Sequence, residues 1–444
     1  MKKHIRTYLS TILVFPLVIN ILNKSTSDSP QRAPITVLTV DCSKSEDRPK
    51  PMNGFLLSIN DKNPPSQLIT PLAPAYWRVS ANKKYVLDRL DSFQTKPIFL
   101  MSDIFHYPGS HPSLWKTPTN DNVGWNDTVK NTFSRHAYQK KKYIYDLWNE
   151  PNGKFFFAGN ESDFCGVFKT AHDKIRALPN GDNTLISGPS ISKFDTAYIH
   201  HFLDYCLINN IKLDVLSWHE FRTGDDIIKI KNDLQWVRKN WVNSAKYAPL
   251  KIKAIQINEI IAQADQYVPA SILAYFYYLE KGGADAACKA CWPPSQPGAK
   301  TNCFNNSLDG LVDPDTFGTR AAWWIYRYYN LTLQNRLNST NVNPNVVSFA
   351  NYSSRKIQIL VGYFGDKKPA NLNLSLDIKN ISALSDMPKK QSFNVQVKLI
   401  PNSGEATINS PETVIQTQAT VQNDHLTVSL PDLHLKEAYF IEIN

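Results

Sequence analysis

From residue 53 to about residue 329, short apolar runs alternate with longer stretches whose apolar residues recur at helical spacing. Parallel α/β folds produce this pattern, because their strands are buried on both faces while the crossover helices keep one polar side. Eight strands are predicted: Gly54–Ile59, Ala75–Val79, Pro97–Ser102, Tyr143–Trp148, Thr184–Pro189, Leu213–Trp218, Ile252–Asn258 and Ala286–Trp292. Helices are predicted between them over Tyr85–Phe93, Ser162–Leu178, Thr196–Asn209, Asp225–Trp241 and Pro269–Lys281. Eight strands in roughly 280 residues fit a (β/α)8 TIM barrel better than the alternative, an open doubly wound sheet. The barrel is placed at residues 45–330. The aromatic run Trp323-Trp324-Ile325-Tyr326-Arg327-Tyr328-Tyr329 has helical spacing and reads as barrel-closing core.

After Leu337 the hydrophobic period shortens to two. Alternating runs at Val346–Asn351, Lys356–Gly362, Ala370–Asp377, Phe393–Ile400, Thr413–Val421, His425–Leu430 and Ala438–Ile443 are separated by Asn-rich turns. An accessory antiparallel β-sandwich over residues 343–444 is expected. Ile35–Val40 alternates in the same way, so a strand at 34–42 is expected to join it.

Composition adds a compartment. The chain has 444 residues, 42% of them hydrophobic, more than one core usually organises. Lys2, Lys3 and Arg6 precede an apolar run, Thr7 to Asn23, with no acid before Asp28. That is the layout of a secretory signal over residues 1–27, with an uncleaved N-terminal anchor as the alternative. A secreted protein, extracellular or periplasmic, is expected, attached to a membrane only if that segment stays uncleaved. The formal net charge of +10 is dispersed, and the cluster Lys140-Lys141-Lys142 reads as a solvated loop, so nucleic acid is not an expected partner. The six cysteines suit an oxidising compartment. Cys288, Cys291 and Cys303 invite a zinc or a disulfide reading; with no second CxxC and no paired histidines, a loop-pinning disulfide to Cys303 is favoured and no metal is expected. Sequons at Asn126, Asn160, Asn330 and Asn338 arise readily in so Asn-rich a chain and decide nothing.

In a barrel of this kind the chemistry sits at the C-terminal strand ends. Strand four runs into Trp148-Asn149-Glu150-Pro151-Asn152, strand six into His219-Glu220-Phe221, and strand seven into Asn258-Glu259. Cleaving a glycosidic bond takes one carboxylic acid to protonate the leaving oxygen and one carboxylate to attack the anomeric carbon or activate water. Glu150 and Glu259 stand on opposite sides of the mouth and form that pair. Glu220 and Glu280 are competing acids that follow no apolar strand so cleanly. The chain holds no HExxH, GxSxG, GxxxxGK or GxGxxG string, so no cofactor is expected.

These residues resemble the retaining barrel glycosidases of clan A, and within it glycoside hydrolase family 39. The likeness rests on Trp148 to Asn152, on Glu259, on Tyr76-Trp77-Arg78, on Ser217-Trp218-His219-Glu220-Phe221 and on Gly283 to Trp292, and spans roughly residues 53–330. It implies a barrel with an attached β-sandwich and activity on β-xylosides, iduronides or extracellular bacterial polysaccharides. By position it makes Glu150 the acid/base, Glu259 the nucleophile, and Asn149 a donor to the sugar 2-hydroxyl. Arg78 is expected to hold Glu259 ionised with a low pKa, His219 to line the floor, Trp292 to offer an apolar platform, and Asp103 and His106 to line the rim. Two rival readings use the same site: a carbohydrate-binding barrel without turnover, and a transglycosylase using the same glutamates.

Overall fold

The computed structural model describes residues 35–47, 49–80, 84–106, 118, 121–136, 143–366 and 369–444. The N-terminal segment read as a signal or anchor and the Lys140-Lys141-Lys142 cluster lie outside them. Strand β1 (Ile35–Ser45) belongs to the C-terminal sheet. Strands β2 (Gly54–Leu56), β3 (Tyr76–Val79), β4 (Lys96–Leu100), β5 (Ile144–Asp146), β6 (Leu185–Ile191), β7 (Val215–Glu220), β8 (Ala254–Ile260) and β9 (Ala286–Lys289) follow one another around a closed parallel barrel.

Successive side chains on a strand point to opposite faces, and this sorts the barrel interior into layers. Ile98, Ile144, Val215 and Cys288 form a small apolar cluster with Tyr76, Leu185 and Ala254, separate from the large core. Two residues further along the same strands stand Arg78, Asp146, Ser187, Ser217 and Gln256, all buried. The barrel is therefore apolar at its base and polar towards its mouth. The residues between them, among them Trp77, Phe99, Tyr145, Ile186, Leu216 and Ile255, face outward into the core shared with the helices.

The helices are α1 (Ser66–Ile69), α2 (Lys84–Ser92), α3 (Met101–His106), α4 (Asn122–His136), α5 (Glu161–Arg176), α6 (Thr196–Ile208), α7 (Lys229–Val237), α8 (Pro269–Gly282) and α9 (Ala321–Leu331). Asn160 and Asp163 close a capping box at the start of α5, and Asp195 caps α6, so both start where their sequences supply an acceptor for the first free N–H groups. Helix α8 is buried almost all round because it is covered twice. One side meets the barrel and the other meets the C-terminal sheet, where Gly362 approaches so closely that a Cβ there would lie 3.2 Å from the Ala270 Cα. The expected helix Asp225–Trp241 is broken into a 3-10 turn at Gly224–Ile228, α7, and a π turn at Arg238–Val242. Helix α9 buries its aromatic run as core: the Trp323 indole donates to the Leu68 carbonyl and the Tyr328 ring stacks 3.8 Å from Phe440.

The C-terminal sheet adds β10 (Arg336–Asn341), β11 (Val346–Ser353), β12 (Lys356–Tyr363), β13 (Asn371–Lys379), β14 (Ser392–Ile400), β15 (Glu412–Gln422), β16 (His425–His434) and β17 (Ala438–Ile443). Its order, β1-β10-β11-β12-β17-β14-β15-β16-β13, closes on itself. Strand β1 runs antiparallel to β10 and parallel to β13. Strict alternation, as in β13, aims Leu372, Leu374, Leu376 and Ile378 into a second core with Leu38, Val40, Ile359 and Ile441. Among the described residues no helix is long and apolar enough to cross a membrane.

Candidate active site

The mouth is built around Arg78. Its guanidinium is fully buried on β3 and spreads three ways: Nε and Nη2 lie 2.8 and 2.6 Å from Asp146 Oδ2, Nη1 is 2.7 Å from Glu259 Oε1, and Nη2 donates to Asn149 Oδ1 at 3.0 Å. Burial opposes its charge, yet Asp146 and Glu259 outweigh burial and raise its pKa. Since Asn149 accepts through Oδ1, its Nδ2 is the side that can donate to a ligand.

Asp146 is fixed from the opposite side as well. Ser190 Oγ donates to its Oδ1 at 2.6 Å, Asn258 Nδ2 to its Oδ2 at 3.0 Å, and Ser217 Oγ lies 2.7 Å from Ser190 Oγ. Residues from β5, β6, β7 and β8 thus lock the guanidinium that holds Glu259.

Glu259 reaches the mouth through an irregularity in β8. Ile257 pairs with Trp218, but the next residue of β7, His219, pairs with Glu259, so β8 carries one extra residue, Asn258. Simple alternation would put Glu259 on the outward side with Ile255 and Ile257; the bulge lets both Asn258 and Glu259 face inward. Glu150 is aimed by its own backbone: its φ of 46° lies in the left-handed region, and its N–H donates to the Ser190 carbonyl at 2.9 Å. A non-glycine residue held there costs of order 1 kcal/mol, and such strain gathers at functional sites.

His219 bridges the two acids. Its Nδ1 is 2.9 Å from Glu150 Oε1 and its Nε2 is 3.9 Å from Glu259 Oε1. Burial lowers its pKa to about 4, so the imidazole is neutral at ordinary pH. Glu150, Glu259 and His219 each offer an atom within 4.8 Å of the others. Both carboxyls keep an outlet to solvent, with 17% and 14% of the side chain exposed, while His219 is fully buried. Burial pushes Glu150 up to about 7, although Arg78 pulls the other way. The low pKa expected for Glu259 is corrected: burial raises it, and the Arg78 guanidinium opposes that rise without reversing it.

The trio also has the span of a cation site. Arg78 speaks against that use, since its fixed positive charge already sits 2.7 Å from Glu259 Oε1, where a dication would need the carboxylate free. The zinc reading of the CxxC pair fails on placement. Cys291 is bonded to Cys303, whereas Cys288 packs inside the barrel with Ile98 and Val215.

The other predicted site residues sit further out. Asp103 and His106 lie on α3, which begins where the third predicted strand was expected to continue. Burial raises Asp103 to about 6, against the pull of Arg78, and the His106 ring stands edge-on to Trp148 at 5.6 Å. Trp292 lies beyond the end of β9, in a loop. Its Nε1 donates to the Ile261 carbonyl at 2.7 Å, and its ring meets Phe221 at 4.9 Å, which in turn lies 5.8 Å from His219. A cavity of about 630 Å³ is lined among others by Ser58, Val79, Tyr85, Ile104, Arg135 and Phe304, and neither Glu150 nor Glu259 is part of its lining. The rival acids are elsewhere. Glu220 faces outward on β7, bonded by the Trp218 indole, and Glu280 is bound by Tyr329 and Arg336 under the C-terminal sheet.

The Cys291–Cys303 disulfide closes the loop that carries Trp292. Cross-linking across so short a loop restricts the unfolded chain by roughly 2–3 kcal/mol. Cys303→Ser is therefore expected to lower the urea midpoint by a corresponding amount, read by circular dichroism; an unchanged midpoint would mean the loop is held without it.

Fold and site together define a (β/α)8 barrel with a paired-carboxylate mouth, the architecture of barrel glycosidases. The resemblance to family 39 is borne out: the family model for glycosyl hydrolases family 39 matches residues 84–247. A β-xylosidase of Caldicellulosiruptor saccharolyticus is 28% identical over 127 residues, 27% of this chain and 24% of that protein. The match thus spans about a quarter of that relative's length. Among solved structures, N2152 from Neocallimastix frontalis superposes with a TM-score of 0.73 at 19% identity, covering 92% of this chain and 99% of the other. A family 39 enzyme from Xanthomonas axonopodis pv. citri gives 0.67 at 15%, covering 94% and 99%. A family 39 β-xylosidase from Caulobacter crescentus gives 0.60 at 15%, covering 92% and 99%. At these identities the structural likeness speaks for the barrel and its attached antiparallel sheet.

Proposed function

We propose that this chain is a retaining glycoside hydrolase that acts on β-xylosides or related extracellular saccharides by double displacement. The observation that carries this reading is the facing of Glu150 and Glu259, with an oxygen of each within 4.8 Å. Retaining enzymes keep their two carboxyls about 5 Å apart, whereas inverting enzymes need room between them for a water. Arg78 and His219 both address Oε1 of Glu259, which leaves the other oxygen to attack the anomeric carbon. As that bond forms, the glycosidic C–O bond breaks and the Glu150 proton passes to the leaving oxygen. Glu150, now a carboxylate, takes a proton from water, whose oxygen displaces Glu259 and releases the sugar.

The crowded pair titrates as a unit, and Arg78 is bonded to Glu259 rather than to Glu150, so the proton that the pair retains belongs on Glu150. Asn149, oriented through Oδ1, is the donor for the sugar 2-hydroxyl. Trp292 supplies the apolar surface for a sugar face. Export by the N-terminal segment agrees with the disulfide.

The test is hydrolysis of an aryl β-xyloside with the product anomer followed by NMR. Release of the β-anomer first supports retention, and release of the α-anomer first would exclude it. Glu150 must be protonated to act as the acid, and its pKa is raised to about 7. Wild-type kcat/KM is therefore expected to fall as pH rises through about 7, and to fall again on the acid side as the nucleophile Glu259, whose own pKa burial raises, takes up a proton. Glu150→Gln is expected to abolish the alkaline limb and to lower kcat roughly 10²- to 10⁴-fold on alkyl leaving groups. An alkaline limb that persists in the variant would assign it to another group.

A further inference from the structure

Trp292 sits in a loop, yet it is held from two sides. Its backbone carbonyl accepts from the Asn302 N–H at 3.2 Å, and the Asn302 side chain bonds Gln266 and Tyr267. Three residues after Trp292, the N–H of Ser295 donates to Glu405 Oε1 at 2.6 Å. Glu405 belongs to the C-terminal sheet, in the connection between β14 and β15.

That connection is anchored on the barrel without the Glu405 side chain. Ile408 N–H donates to the Thr319 carbonyl at 2.7 Å and Thr319 Oγ1 donates back to the Ile408 carbonyl at 2.7 Å. Arg320, itself buried, donates from Nε to the backbone carbonyl of Glu405 at 3.0 Å and from Nη1 to that of Gly310 at 3.1 Å. The carboxylate of Glu405 is thus presented by a fixed backbone to an N–H of the loop that carries Trp292. A charged acceptor makes a stronger bond to such a donor than a neutral one.

We propose that Glu405 is a positioning residue of the saccharide site, by which the C-terminal sheet holds the Trp292 loop in its binding geometry and so sets substrate affinity. This rests on the glycosidase reading for its effect on affinity, but not for the hold on the loop. Because Thr319, Arg320 and Ile408 keep the connection in place, replacing the Glu405 side chain removes its hydrogen bond to Ser295 and its charge near Tyr267 while leaving the connection anchored.

The experiment uses the full chain as wild type, Glu405→Ala and Glu405→Gln. Amide hydrogen exchange is read over residues 293–303, and KM and kcat are measured on an aryl β-xyloside. Glu405→Ala is expected to speed exchange in that segment and to raise KM roughly three- to tenfold, with kcat within about twofold of wild type. Glu405→Gln, which keeps a carbonyl acceptor, is expected to restore most of both. Unchanged exchange in Glu405→Ala would overturn the hold on the loop. Faster exchange with unchanged KM, or a loss confined to kcat, would overturn the link to affinity. A wild type that turns over no saccharide would instead fail the glycosidase reading, while the exchange arm still decides whether Glu405 holds the loop.

Discussion

Glu259→Gln is expected to lower kcat by roughly 10⁴-fold or more on every substrate the wild type hydrolyses, with the fold intact by circular dichroism. The amide is nearly the same shape but cannot form the glycosyl ester, so both steps of the double displacement are lost. A second variant makes the assignment chemical. In Glu259→Ala the missing carboxylate leaves room for an external anion, and added azide is expected to restore turnover and yield the α-glycosyl azide, the product of a single inversion. In Glu150→Ala the glycosyl-enzyme still forms from an activated aryl glycoside, and azide is expected to give the β-product. Activity that survives in Glu259→Gln would move the nucleophile elsewhere and sink the mechanism as drawn.

Arg78→Met is expected to cost about 3–5 kcal/mol of stability, read as the free energy of urea unfolding. Arg78 and Asp146 are fully buried, and Glu259 is mostly so. Truncating the guanidinium leaves Asp146 and Glu259 without their cation in a site that water hardly reaches, and breaking one partner of a buried ion pair is far costlier than replacing the whole pair. Arg78→Lys keeps the charge but not the planar fork that serves Asp146, Asn149 and Glu259 together, so it is expected to fall between. A loss under about 1 kcal/mol in Arg78→Met would mean that Asp146 is satisfied by Ser190 and Asn258 alone.

The place of Glu150 and Glu259 at the mouth was legible in the sequence because each follows an apolar run with a single Asn between, and a barrel puts such positions at its mouth. The disulfide to Cys303 was legible because neither a second CxxC nor a histidine pair competed for the cysteines. Asp146 carried a faint signal, an acid inside the run Tyr143–Trp148, and Asn258 a similar one at the end of Ile252–Asn258. Ser190 and Ser217 carried none, since a serine near a strand end is common and acquires meaning only beside Asp146. Strand β10 escaped because Arg336–Asn341 has little apolar alternation. It is a strand through its pairing with β1 and β11.

By itself the sequence determined the periodicities, and with them the eight-stranded barrel, the alternating C-terminal strands and the acids at the strand ends. These follow from local spacing, which any chain of that pattern must satisfy. Only the tertiary structure decided which face Glu259 occupies, because a one-residue bulge in β8 reverses the parity that spacing alone would give. It alone decided that burial, and not Arg78, sets the direction of the Glu259 pKa, and that Glu405 of the C-terminal sheet touches the loop of Trp292. Register, desolvation and contacts between distant segments depend on how elements pack, and no local stretch of sequence contains them.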